Sequence, residues 1–136
     1  MALSRGTRPV FDGLQVNSIT LSPNSAQGTG NSVPAHVTAV RLAANVNDVN
    51  DFTVLPSLAH VPTGHTVTIV AGAANSEVRT PAASGEKINN VDCDGTQEYL
   101  MTATQIVNFV KIDNTIGWMG QGFTAIGAVA AAVVPD

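Results

Sequence analysis

The strongest constraint on the fold is a run of short strand-like segments between residues 51 and 118. The segments are rich in β-branched and aromatic residues, and Gly, Pro, Asn and Asp separate them at intervals of about eight to twelve residues. No helical period interrupts this run. The cadence predicts an all-β domain, an antiparallel β-sandwich or barrel. The predicted strands are VTIV at 67–70, EVRT at 77–80, YLMT at 99–102 and QIVNFVK at 105–111.

The flanking segments extend this prediction toward both ends of the chain. LQVNSITL at 14–21 alternates apolar and polar residues, which predicts a first strand, and HVTAVRL at 36–42 predicts another. The apolar AIGAVAAAVV at 125–134 favours a final strand or extended segment over a short helix. We therefore predict three parts: residues 1–21 as an extended N-terminal arm and first strand, 22–35 as a loop or linker, and 36–136 as the β-sandwich.

The composition bears on what covers the protein surface. Only 12% of the residues are charged and 4% are aromatic, whereas an average soluble domain carries about 25% charged residues. Such a surface suggests that other protein covers part of it. The net charge is −4 and the six basic residues are scattered, which argues against a nucleic-acid partner.

Three features of the sequence predict a protein that is made and kept in the cytoplasm until assembly. Cys93 is the single cysteine, so neither an intrachain disulfide nor a cysteine zinc site is predicted. MALSRGTRPVFDG has no apolar core of a secretory signal. The longest apolar run, at 125–134, is ten residues and too short to span a bilayer, so no membrane partner is predicted.

No motif frames a catalytic or cofactor site. His36, His60 and His65 lack the context of a nucleophile with its base. We therefore predict a protein that is not an enzyme and has no cofactor, with a small hydrolase as the remote alternative. Asp92, Asp94 and Glu98 around Gly95 partly match the oxygen-rich loops that bind calcium, but Asp-Gly is also a favoured hairpin turn. Both interpretations of this segment stay open, and the turn is favoured.

An ordered series of short motifs carries a resemblance to a known family. Leu55-Pro56 comes first, and Gly64 precedes the strand HTVTIV; VRTPA, the GEKIN of 85–89, Asp113-Asn114 and Gly117-Trp118 follow. This order resembles a β module of bacteriophage virion proteins that occurs in head decoration or cement proteins, head fibres and tail-fibre segments. The chain departs from that pattern by Thr115-Ile116 before Gly117, and by the longer turn VDCDGTQE before Tyr99.

The resemblance implies a jelly-roll-like structural protein, a homotrimer seated on the outer surface of a phage head with the major capsid protein as its partner. The virion is the implied location, after assembly in the host cytoplasm. The alternative is a head-fibre or tail-fibre tip that binds a host surface glycan or protein. For capsid contact we predict Arg5, Arg8 and Phe11. For the self-interface or core we predict Trp118, Phe123, Ile126, Val129 and Val133.

Overall fold

The computed structural model describes residues 17–25, 30–43, 51–72, 75–95 and 97–123. Within these ranges the chain forms ten β-strands, a single turn of 3-10 helix at Leu58–His60 and no α-helix, so the all-β prediction is confirmed. The strands are β1 (Ser18–Leu21), β2 (Ala39–Leu42), β3 (Phe52–Val54), β4 (Thr66–Val70), β5 (Ser76–Arg79), β6 (Lys87–Ile88), β7 (Val91–Asp92), β8 (Tyr99–Met101), β9 (Ile106–Asp113) and β10 (Gly117–Phe123).

The strands form two sheets. A seven-stranded sheet has the order β1-β2-β4-β9-β10-β6-β7, and a three-stranded sheet has the order β3-β5-β8. The prediction of antiparallel sheets is wrong in part, because β1–β2, β2–β4, β3–β5 and β6–β10 pair in parallel. A tight turn forces antiparallel pairing, as between β9 and β10, whereas a longer connection can return a strand in the same direction. Between β2 and β4 the chain adds β3 to the other sheet, and this detour allows the parallel return.

The segment predicted as a loop or linker contacts the edge of the smaller sheet. Asn24 and Ser32 form isolated bridges with Phe52 and Val54 of β3. The buried side-chain amide of Asn31 donates to the carbonyl of Phe52 at 2.9 Å. In its described part, this segment therefore closes an edge of the three-stranded sheet that would otherwise present unpaired backbone groups.

The two sheets share one hydrophobic core. Alternation along β4 and β9 turns Val67 and Phe109 inward, and these two residues are register partners. From the smaller sheet, the Tyr99 ring meets the Phe109 ring edge-on with centroids 5.1 Å apart, a favourable aromatic geometry. The largest fully buried side chains are Trp118, Tyr99, Phe109, Leu42, Leu55, Ile69, Ile88 and Met101.

Because Gly120 of β10 has no side chain, the Phe109 ring can occupy the space beside it. A Cβ atom at Gly120 would lie 2.7 Å from two carbons of that ring, and Phe109 is fully buried and cannot move aside. We expect Gly120→Ala to lower the free energy of unfolding by about 1–3 kcal/mol, as overpacked cores do. Combining it with Phe109→Leu should cost less than the sum of the two single changes, measured by urea denaturation. Additive costs would show that the two positions do not compete for space.

Candidate functional site

The motifs that carry the resemblance meet at one corner of the fold, around the 3-10 turn. Oε1 of Glu86, from the GEKIN motif, accepts hydrogen bonds from the Ser57 hydroxyl at 2.9 Å and the Leu58 backbone N–H at 3.0 Å. The hydroxyl of Thr80, from VRTPA, donates to the Glu86 carbonyl at 3.0 Å. A carboxylate at the start of the turn accepts from backbone N–H groups that have no partner within the turn.

A buried lysine holds the other end of the same turn. Lys111 of β9 is 5% exposed, and its Nζ donates to the carbonyls of Leu58 at 2.6 Å and Val61 at 2.8 Å. Its backbone carbonyl accepts from Gly64 N–H and its own N–H donates to the His65 carbonyl. Among the described residues no carboxylate forms an ion pair with Lys111, so backbone carbonyls solvate its charge.

Asn89 connects the corner to β10, because its side chain makes the backbone hydrogen bonds that a neighbouring strand would make. Its side-chain amide donates to the Gly120 carbonyl at 2.9 Å and accepts from the Gly120 N–H at 2.8 Å. Asn89 and Asn90 have φ of +52° and +68°, which fits the hairpin turn between β6 and β7 because Asn tolerates this conformation. The short β6 pairs with β10 only between Ile88 and Trp118, and the Asn89 side chain continues the pairing along β10.

The glycine of the Gly117-Trp118 motif has a steric cause. Gly117 has φ +84°, and a Cβ there would lie 2.5 Å from the carbonyl oxygen of Lys87. Trp118 is then buried in the core, with its ring edge-on to His65 at a centroid distance of 6.4 Å. The inserted Thr115 and Ile116 both donate backbone N–H groups to Asp113 Oδ1, and these bonds lower the pKa of Asp113.

The motif residues therefore bind one another. We call the side chains of Glu86, Asn89 and Lys111, with Gly117, the corner network. Its members join the 3-10 turn, β6, β9 and β10, so their role is to hold the two ends of the core together. Of the residues that carry the resemblance, Glu86, Asn89 and Gly117 maintain the fold.

Removing the Asn89 amide should weaken the corner network. Asn89→Ala loses both hydrogen bonds to Gly120, and we expect it to destabilise the protein by about 1–3 kcal/mol more than Asn90→Ala. Asn90→Ala is the matched control because both residues adopt positive φ, so the strain of placing alanine there cancels in the comparison. Thermal unfolding of the two variants would measure the difference, and equal costs would contradict the bracing role.

The residues considered for catalysis and calcium binding have other surroundings. His36 and His60 are exposed. Asp94 Oδ2 accepts from the Gly85 N–H at 3.1 Å, and Glu98 pairs with Arg79, so two of the three carboxylates already hold protein groups. Over the described ranges, no group of three or more His, Cys, Asp or Glu residues could hold a metal ion.

Cys93 lies in the core between these acidic residues. Its side chain is fully buried. The pKa of the Cys93 thiol is raised to about 11, mainly by burial and to a smaller extent by the charges of Glu98, Asp92 and Asp94. The thiol therefore stays protonated at neutral pH, and the thiolate that a reactive cysteine requires is disfavoured.

Sequence reasoning missed an ionic cluster on the three-stranded sheet. The guanidinium of Arg79 pairs with Glu77 at 3.0 Å and with Glu98, and it lies 4.2 Å above the ring centroid of Phe52. Both carboxylates are nearly fully buried. The only sequence signal was the unusual pair of charges at alternate positions 77 and 79 of a predicted strand, which places them on one face.

Removing the Arg79 charge should be costly because it leaves two buried carboxylates without their shared cation. We expect Arg79→Met to destabilise the protein by about 3–5 kcal/mol, and the triple variant Glu77→Gln, Arg79→Met, Glu98→Gln to recover part of that loss. Arg41→Met, on an exposed arginine, is the control and should change stability by about 0.5 kcal/mol or less. Urea denaturation measures all three, and a triple variant no more stable than Arg79→Met would contradict the electrostatic explanation.

The most extensive candidate contact surface is the solvent-facing side of the seven-stranded sheet, which we call the outer face. It consists of the side chains that alternate with the core residues along β1, β2, β4, β9 and β10. Cross-strand register puts Val70, Ile106 and Phe123 side by side in one row, and Val110 beside Met119. Val70, Ile106, Ile112 and Met119 are 37–46% exposed. The polar row of Thr68, Asn108 and Gln121 lies between these two apolar groups. Adjoining exposed apolar side chains such as Val70 and Ile106 mark interaction sites.

One end of the outer face is a shallow open groove of about 360 Å³ across β1, β2 and β4. Thr20, Arg41, Thr68 and Val70 line it. Arg41 is the only charged side chain on the outer face within the described strands. The polar side chains nearby are short, and the Thr68 hydroxyl donates a hydrogen bond to Asn108 Oδ1 at 2.7 Å. The surface as a whole can contact an apolar partner at small desolvation cost.

Of the predicted contact residues, the structure describes two. Trp118 lies in the core, and Phe123 is half-buried at the end of β10, on the outer face. The predicted capsid contacts Arg5, Arg8 and Phe11, and the predicted interface residues Ile126, Val129 and Val133, lie outside the described residues.

Two further findings concern membrane-spanning helices in the described ranges and similarity to known proteins. Across the ranges described above, the structure has no helix of the length and apolarity needed to cross a bilayer. A comparison with known protein families gave no match, and neither did a search of curated proteins.

Proposed function

We propose that this protein is a structural component of a bacteriophage particle, a decoration protein that binds the outer surface of the head as a homotrimer. The observation that carries the proposal is the outer face, where Val70, Ile106 and Phe123 form one apolar row. Val110 and Met119 form a second apolar pair, beyond the polar row of Thr68, Asn108 and Gln121. A surface of this kind on a chain with few charges is suited to protein–protein contact.

The corner network adds support through the resemblance. The GEKIN motif of that order contributes to this network, since Glu86 binds the 3-10 turn and Asn89 binds β10. A shared motif order of this type is expected to accompany a shared architecture, in this case a jelly-roll-like β-sandwich in which two sheets enclose one core. The parallel pairings of β1, β2 and β4 depart from the antiparallel pairing of a jelly roll.

The proposed mechanism is thermodynamic and involves no reaction. A protein that binds the assembled capsid lattice, and not its dissociated subunits, stabilises the lattice by mass action. At a free concentration one hundred times the dissociation constant, the gain is about 2.7 kcal/mol for each site. Repeated over many sites, this raises the resistance of the head to rupture. The major capsid protein is the partner, and Arg5, Arg8 and Phe11 provide the contact.

The test is binding to purified heads, lacking the protein, of the phage that encodes the chain. We expect the full chain to co-sediment saturably with the heads and to raise the temperature at which they release DNA. Deleting residues 1–16, which leaves β1 intact, should weaken binding at least tenfold. Arg5→Glu with Arg8→Glu should also weaken it, because glutamate reverses the charge that the arginines present to the capsid. Arg5→Lys with Arg8→Lys keeps the positive charge and should retain most binding.

Two results would overturn this proposal. One is a full chain that fails to bind heads at concentrations of tens of micromolar, on the order of weak protein–protein affinities. The other is a chain that binds host cells or a host surface glycan and leaves heads untouched, which would favour a fibre-tip module.

A further inference from the structure

We infer that residues 124–136 of one copy of this chain cover the outer face of a neighbouring copy's seven-stranded sheet. The inference rests on the proposed function in one respect, that the protein works as an assembly of identical copies. It names the two surfaces that meet. One is the outer face with its groove, and the other is the apolar segment TAIGAVAAAVVPD.

The outer face requires an apolar occupant. Six large apolar side chains are exposed among the described residues, and four of them belong to this face. Val70 and Ile106 are register partners, as are Ile106 and Phe123, so the apolar side chains are contiguous across three strands. Covering them removes apolar area from water, which is the main favourable term in protein association.

The segment 124–136 has the composition and length to be that occupant. Nine of its thirteen residues are Ala, Val or Ile, and Asp136 is its one charged residue. Small side chains allow a backbone to approach a sheet face closely. The described part of the outer face is five strands wide, from β1 to β10, or about 19 Å at 4.8 Å per strand spacing. Thirteen extended residues reach about 43 Å, so the segment can cross the whole face.

The direction of β10 favours a neighbouring copy over the segment's own sheet. β10 and β4 are both antiparallel to β9, so β10 runs in the same direction as β4. Phe123 is its last residue and lies in the end row with Ile106 and Val70. At Phe123 the strand therefore runs away from Met119 and Val110. To cover Met119 and Val110 of its own sheet it would have to reverse direction, whereas the face of a neighbour can lie directly ahead.

Charge complementarity supports the same pairing and gives it an orientation. Arg41 is the single charged side chain on the described outer face, beside the groove. No acidic residue within the described ranges forms an ion pair with it. Asp136 is the single acid of the segment. In one arrangement the apolar residues of the segment lie across β9 and β10, and Asp136 lies near Arg41 on β2. This arrangement provides both the apolar contact and the pairing of opposite charges.

The first experiment measures self-association of the full chain by sedimentation equilibrium. We expect a defined oligomer, and we expect Ile106→Asp on the face and Val129→Asp in the segment each to raise its dissociation constant at least tenfold, because a carboxylate would be buried without a partner. Leu100→Asp is the matched control. Leu100 is 37% exposed and Ile106 38%, but Leu100 lies on the three-stranded sheet, so its change should have less than a twofold effect. Circular dichroism would verify that each variant is folded.

A second experiment distinguishes a neighbour's segment from the chain's own. Protein carrying Ile106→Cys is mixed with protein carrying Val133→Cys under mild oxidation, and buried Cys93 provides no competing thiol. With Asp136 beside Arg41, an extended segment places Val133 about 10 Å along, over β9. We expect a disulfide between the two populations, visible as a dimer on a non-reducing gel. A folded full chain that is monomeric, or associates regardless of Val129→Asp, overturns the inference, as does cross-linking that occurs only within a chain carrying both cysteines. These measurements use no phage heads, so their failure leaves the head-binding test of the proposed function intact.

Discussion

The buried ammonium group of Lys111 is the interaction on which much of this structure depends. A charge at 5% exposure is unfavourable unless polar groups replace its water, and the carbonyls of Leu58 and Val61 do so. The 3-10 turn is thereby fixed to β9, the strand that pairs with both β4 and β10 in the middle of the larger sheet. Glu86 holds the opposite end of that turn. A cation at the carbonyl end and a carboxylate at the amide end match the polarity of the turn.

This arrangement separates two kinds of residue along the same strands. The inward side chains of β9 and β10, among them Phe109 and Trp118, serve the core and the corner network. The outward side chains, such as Ile106 and Met119, have no described covering. Since successive residues of a strand point to opposite faces, stabilising the fold places no demand on the outer set. The outer face can therefore be specialised for contact with another protein.

The two ionic centres of the fold use different means to keep a charge inside. Lys111 relies on backbone carbonyls, whereas Arg79 lies between the carboxylates of Glu77 and Glu98 and above the Phe52 ring. A planar guanidinium can serve two carboxylates and an aromatic face at once, which an ammonium group cannot do as well. Each centre fixes the position of chain segments that are distant in sequence, and neither leaves the described groups arranged around an open reaction site.

The sequence by itself determined that the chain is all-β and where most strands lie, because alternation and turn residues are local properties. Val67 and Val107 could be assigned to the core for the same reason. Strand direction, the division into sheets of seven and three strands, and the pairing of Arg79 with Glu98 were decided only by the tertiary structure. The structural roles of Glu86, in the GEKIN motif, and of Lys111 were also invisible, since both side chains meet the same turn from positions about 30 and 50 residues away. The local sequence pattern indicates which side of a strand is apolar. Which distant backbone groups will satisfy a buried charge depends on how the whole chain closes around it.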